Sequence, residues 1–130
     1  MHRTDRARPG GDRGATTSLA AALLTPLFVV LAFAAFQAAL WSHARTEARV
    51  VARDTAALVA RAGVDASDAR ASAATILASD TDLRNVEVTV DQGDGIVTVT
   101  VHGDAPGILR GTSAGISVTA AVPVEELTPR

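Results

Sequence analysis

Hydrophobic and polar positions are laid out in three regimes along the chain. From Gly14 to Ser42 there is no charged residue, and Leu19–Trp41 is a nearly unbroken apolar run of 23 residues. At about 1.5 Å per residue that run makes a helix of roughly 35 Å, enough to cross a hydrocarbon layer of about 30 Å. It is too long for the apolar core of a cleaved secretory signal, and no convincing small-x-small site follows it. A domain of this size could not surround an all-apolar helix on every side, so the run predicts a transmembrane helix. Trp41 stands where an interfacial aromatic belongs, and Pro26 removes one backbone hydrogen bond near the N-terminal end.

After Trp41 the period becomes helical. Ala44, Ala48, Val51, Thr55, Leu58 and Ala62 recur at spacings of four and three and predict one apolar face. Arg45, Glu47, Arg49, Arg53, Asp54 and Arg61 fall on the opposite arc, with no evident ladder of ion pairs. Gly63 ends this helix, which counted from Ala15 would be roughly 70 Å long. It is equally an assembly element and a stalk packed on its own domain. Asp65 or Ser67 caps a second helix through Ala78, whose modest apolar face is Ala69, Ala73, Ile76 and Leu77. Ser79-Asp80-Thr81-Asp82 follows as a polar turn.

The third regime has a period of two. Val86, Val88 and Val90 alternate with Glu87, Thr89 and Asp91; Val97, Val99 and Val101 alternate with Thr98, Thr100 and His102. Gln92-Gly93-Asp94-Gly95 between them predicts a β-hairpin. Ala105-Pro106-Gly107 breaks the chain, and Ile116, Val118, Ala120 and Val122 predict a third strand. Each strand is apolar on one face only, which a single antiparallel sheet covered by helix satisfies. The expected fold is therefore α+β and pilin-like: a long N-terminal transmembrane helix continuing into an amphipathic one, a second short helix, and a small three-stranded antiparallel sheet. The corresponding segments are a basic cytoplasmic leader (1–14), the transmembrane helix (15–42), an extracytoplasmic helical region (43–79), the sheet (84–124) and a flexible tail (125–130).

Composition sharpens this picture. One Trp and three Phe are the aromatic residues, all inside the apolar run, so the part beyond it must pack with Val, Ile, Leu and Ala. Without cysteine there is no disulfide and no thiolate metal site. Residues 1–14 carry four Arg and two Asp, whereas residues 43–130 carry eight Arg and twelve acids. The mildly acidic exported part argues against nucleic acid as a partner. Arg3, Arg6, Arg8 and Arg13 precede the run, and Arg45, Arg49, Arg53 and Arg61 follow it. This tie leaves the short N-terminal tail and the strand-rich C-terminal part to set the expected orientation, N-terminus in the cytoplasm.

Candidate chemistry is sparse. His2, His43 and His102 are far apart. His102-Gly103-Asp104 reads as a strand-end turn, with neither HExxH nor another spaced ligand beside it. Asp80, Asp82, Asp91 and Asp94 lack the EF-hand spacing and suit turns. Glu125-Glu126 reads as a solvated end. No Ser or Thr sits in a nucleophile elbow, and there is no phosphate loop. No catalytic, cofactor-binding or metal-binding residue is assigned, and the chain is read as a non-enzyme.

Arg13-Gly14-Ala15-Thr16-Thr17 runs straight into the apolar helix, which holds Leu23-Leu24-Thr25-Pro26. The pairs Ala44-Arg45, Ala48-Arg49, Ala52-Arg53 and Ala60-Arg61 follow, then Val97-Thr98-Val99-Thr100-Val101. In this arrangement, over about Arg13 to Val122, the chain resembles TadE/TadG-like proteins, pseudopilin-like members of the Tad (Flp) pilus system. The resemblance implies a non-catalytic minor pilin or pilus-assembly protein whose partners are the lipid bilayer and other pilus-assembly or pilin subunits. It also implies cleavage by a prepilin peptidase between Gly14 and Ala15. Pilin-like subunits carry a Glu early in the mature helix where this chain has Leu19, and Ala20 supplies no carboxylate either. Because a carboxylate in lipid is kept only when used, its absence points to an accessory subunit that stays in the membrane, or to one that escapes cleavage. Small residues in the run, above all Ala34, Ala35 and Ala38, allow close helix approach. Two rival readings are a membrane-anchored extracytoplasmic binding or cell-envelope module unrelated to pili, and a secreted protein with an atypical signal.

Overall fold

The computed structural model describes the backbone of residues 12–124 and the side chains of residues 18–124. The leader up to residue 11 and the tail from Glu125 on, including Glu125-Glu126 and His2, lie outside the described residues. Five elements follow in order: α1 (Asp12–Ala62), α2 (Ala66–Asp80), β1 (Arg84–Gly93), β2 (Ile96–Ala105) and β3 (Ala114–Pro123). The fold is α+β, as the change of period from 3.6 to two implies. The chain divides into two units, Met1–Phe36 and Gln37–Arg130.

Helix α1 stops where the sequence supplies a stop. Gly63 has φ +60°, the left-handed conformation that closes a helix without cost to a residue lacking Cβ. Asp65, not Ser67, caps α2: its carboxylate accepts from the Ser67 N–H at 2.8 Å and from the Ser67 hydroxyl. These bonds hold the Asp65 carboxyl below its ordinary pKa, the side-chain bond being the larger cause. Helix α2 ends at Asp80, two residues beyond the expected Ala78. There the Thr81 hydroxyl donates to the Leu77 carbonyl and closes the last turn.

The sheet has the order β1-β2-β3, antiparallel throughout. Gly93 pairs with Ile96, which leaves Asp94 and Gly95 as a two-residue turn. Both have positive φ (53° and 71°), the requirement of a type I′ hairpin turn. At the other end of β1 the register slips between Arg84 and Glu87, with Asn85 in the left-handed region. The Asn85 side-chain amide donates to Asp104 at 2.8 Å and fastens this irregularity to β2.

One face of the sheet is the floor of the core. Val88, Val97, Val99, Val101, Ile116 and Val118 are buried, in one cluster with Ala69, Ala73 and Leu77 of α2 and five alanines of α1. The α1 alanines are Ala44, Ala48, Ala52, Ala56 and Ala60, a ridge at a spacing of four, and the middle three are fully inaccessible. This corrects the expected face. Leu58 and Ala62 are exposed and Val51 is half-buried, while Ala52, Ala56 and Val59 take the inward positions. Hydropathy favours the larger side chains for the interior, but here the inward positions are taken by a ridge of methyl groups, in one buried cluster with the valines of the sheet. Likewise Ile76 of α2 is 42% exposed and does not share the buried face of Ala69, Ala73 and Leu77.

The ridge also accounts for the Ala-Arg pairs. Neighbouring residues on a helix point about 100° apart. Each buried Ala at 44, 48, 52 and 60 is therefore followed by an Arg turned out to solvent, and all four arginines are exposed.

Candidate interaction surfaces

Three surfaces stand out. The first is the apolar stretch of α1. Leu19, Leu23, Leu27, Phe28, Val30, Leu31, Phe33 and Phe36 are all about half or more exposed, on every side of the helix. Residues Ser18–Ala62 form one helix long and apolar enough to cross a membrane, and none of its most apolar window is buried within the chain. In water such a surface would be a severe liability, whereas a hydrocarbon solvent matches it. Ala34, Ala35 and Ala38 are exposed on this stretch, without cover from their own chain. Gly14 and Ala15 lie in the helical backbone of α1. Beside Pro26, the Thr25 hydroxyl donates to the Ala21 carbonyl at 2.7 Å and so hides its own polarity.

The second surface is a groove of about 360 Å³ between α1 and α2. Its apolar walls include Val51, Leu58, Val64 and Ile76, with Asp54 and Asp68 at the margin. Of the residues expected on the apolar faces, Val51, Leu58 and Ile76 line this open groove, whereas Thr55, which also borders it, is buried as expected.

The third lies in the connection from β2 to β3. Gln37, which with Thr25 is one of the two polar side chains within the apolar run, is clasped by that connection. Its side-chain oxygen accepts from the Ile108 N–H at 2.9 Å, and its Nε2 donates to the Thr112 carbonyl at 3.3 Å. One turn along α1, the Arg45 guanidinium sits 5.6 Å from the centre of the Trp41 ring, a cation–π contact. His43 Nε2 and Glu47 Oε1 are 3.1 Å apart on the exposed side.

The residues with chemical potential are dispersed. His102 is exposed on the outer sheet face opposite Glu87 and Ser117, and Asp104 is engaged with Asn85. On the same face Thr89, Thr100 and Thr119 form a cross-strand row, and the last two hydroxyls are 3.2 Å apart. Among the described residues no three His, Asp or Glu side chains gather as metal ligands would.

Residues 17–57 match the model of the TadE-like protein family. That TadE-like segment, about a third of the chain, covers the apolar run and the ridge from Ala44 to Ala56. No curated protein and no solved structure matches the chain. The TadE-like segment thus joins an apolar run that is largely exposed to a ridge buried in the core cluster. Sequence reasoning missed the clasp on Gln37. A lone amide inside an apolar run was the available signal, because such a group needs partners.

Proposed function

We propose that the chain is a non-catalytic minor pilin or pilus-assembly subunit of a Tad-type system. In this reading α1 anchors it in the cell membrane, with the N-terminus cytoplasmic and the α2–sheet region outside. The observation that carries the reading is the coincidence of the TadE-like match with the uncovered apolar helix. Function then resides in contacts: helix against helix in the bilayer through Ala34, Ala35 and Ala38, and the exported surface against other pilus subunits. Prepilin peptidase would act between Gly14 and Ala15, leaving a free amine at the membrane surface. With Leu19 in place of a carboxylate, the subunit would serve as an accessory rather than as the bulk of a filament.

The test is co-purification of membrane-extracted protein with other pilus components. Leucine at Ala34, Ala35 and Ala38 together should reduce it, and an undiminished yield would count against packing on that face. N-terminal sequencing of the same material separates the alternatives. A start at Ala15 supports pilin-type processing, Met1 supports an uncleaved anchor, and a start beyond Trp41 supports a secreted protein.

A further inference from the structure

The connection Pro106–Ser113 is short, irregular and bonded to Gln37 of α1, and its side chains are not those of an ordinary solvent loop. Leu109 is 64% exposed, one of the most exposed large apolar residues beyond the apolar run. Arg110 follows it, exposed and the only charge between Asp104 and Glu125. The tip is nevertheless rigid. Residues 109–112 form a turn closed by the Thr112 N–H on the Leu109 carbonyl at 3.1 Å, with Gly111 at φ +87° in the third position. The Thr112 hydroxyl adds two more bonds, donating to the Leu109 carbonyl at 2.7 Å and accepting from the Leu109 N–H at 3.2 Å. Gly107 closes the base, where a Cβ would overlap the Thr112 hydroxyl and lie 2.5 Å from the Thr112 carbonyl carbon and oxygen.

What this rigid tip is tied to decides its surroundings. Gln37 lies one helical turn before Trp41, about 6 Å along the axis on the apolar side of that interfacial ring. At such a depth an irregular backbone is tolerated only where its polar groups are satisfied within the protein. The clasp meets that condition for the groups it joins. The amide of Gln37 is satisfied by the loop, and the Ile108 N–H and Thr112 carbonyl of the loop are satisfied by Gln37. The Leu109 and Thr112 N–H groups are satisfied within the turn. The exposed Leu109 is thus presented at the level of the apolar run, beside an arginine long enough to reach lipid phosphate.

We infer that the β2–β3 connection is a second membrane contact, in which Leu109 enters the outer edge of the acyl layer, Arg110 meets lipid phosphate, and Gln37 holds the loop down. The occupant is a phospholipid bilayer, the solvent already proposed for the apolar run that ends at Trp41. This rests on the reading of α1 as a membrane span. It adds a loop of the second unit to the lipid contacts of the chain.

The absence of native cysteine makes the test direct. Full-length protein carrying Leu109→Cys, Phe28→Cys or Thr119→Cys, each labelled with an environment-sensitive fluorophore, is reconstituted in vesicles of equal parts phosphatidylcholine and phosphatidylglycerol. Lipids bearing a nitroxide high on the acyl chain should abolish most emission at 109, deep nitroxides should do so at 28, and 119 should respond only to aqueous iodide. A label at 109 that behaves like the one at 119, while 28 remains lipid-quenched, overturns the inference and leaves the span intact. If 28 also escapes lipid quenching, the span itself is wrong. Adding Gln37→Leu to Leu109→Cys should convert lipid quenching into iodide quenching, and retained lipid quenching would overturn the role of Gln37 as the clamp.

Discussion

Replacing Ala52 by Leu tests whether the alanine ridge sets the closeness of helix and sheet. Ala52 is at the middle of the ridge and is fully inaccessible, as are Ala48 and Ala56 on either side. Leu brings three more carbons. Their removal from water would favour folding by about 0.8 kcal/mol each if there were room. The change in helix propensity is only a few tenths of a kcal/mol. With no accessible space at the site, the added volume must displace backbone or force strained rotamers, at about 1–3 kcal/mol. The net expectation is a destabilisation of that size. Read by hydrogen exchange of the amides of Val97, Val99 and Val101, in protein held in detergent micelles, it corresponds to exchange roughly 5- to 150-fold faster. Arg53→Leu is the control. It adds an apolar side chain one position further on, at an exposed site, and should leave exchange unchanged. Equal exchange in the two variants would refute the reasoning, because it would mean that the ridge can open to admit a large side chain.

Leu58→Ser tests the corrected face from the other side. Leu58 is 54% exposed, so the substitution should change stability by no more than about 0.5 kcal/mol, whereas a core leucine would lose several times that in thermal denaturation. Gly107→Ala should push Thr112 away and loosen the turn at a cost of about 1–3 kcal/mol, seen as faster tryptic cleavage after Arg110 with cleavage after Arg84 unchanged. The cap of α2 should depend on pH. The Asp65 carboxyl titrates below its ordinary value in the folded chain, so its contribution is complete above the unfolded-state value of about 3.9. That contribution is lost as pH falls through the lower folded value. Exchange of the first-turn amides of α2 should accelerate over that acid window, and Asp65→Asn, which keeps an acceptor without the charge, should remove the dependence.

Much of the fold is legible in the sequence because its signals are local. The Val/Thr alternation specifies which face of each strand is buried, and Asp94-Gly95 specifies a turn that only a positive φ at both positions allows. Gly63 and Asp65 mark the boundary between the helices for equally local reasons. The inward face of α1 is less legible because hydropathy ranks Leu58 and Val51 above alanine, while the buried positions are taken by alanines. The four-residue recurrence of Ala carries that information, and the Arg after four of the five alanines confirms the phase. The clasp on Gln37 joins residues 71 and 75 positions apart, and no periodicity reports a contact at that separation. Interaction surfaces are harder again. The groove between α1 and α2 is lined by side chains that look like core in one dimension and are displaced from it by a rotation of the helix.

The Val124 N–H donates to the Gly95 carbonyl at 2.7 Å, so the last strand finishes at the hairpin tip. The connection held by Gln37 is at the opposite end of β2 and β3, roughly 30 Å away at about 3.4 Å per residue. Any peptide fused after Val124 therefore departs from the pole of the sheet remote from Trp41. An epitope or fluorescent reporter placed there would leave the Gln37 clasp and the Pro106–Ser113 connection untouched, and would report on which side of the membrane the proposed anchor holds the sheet.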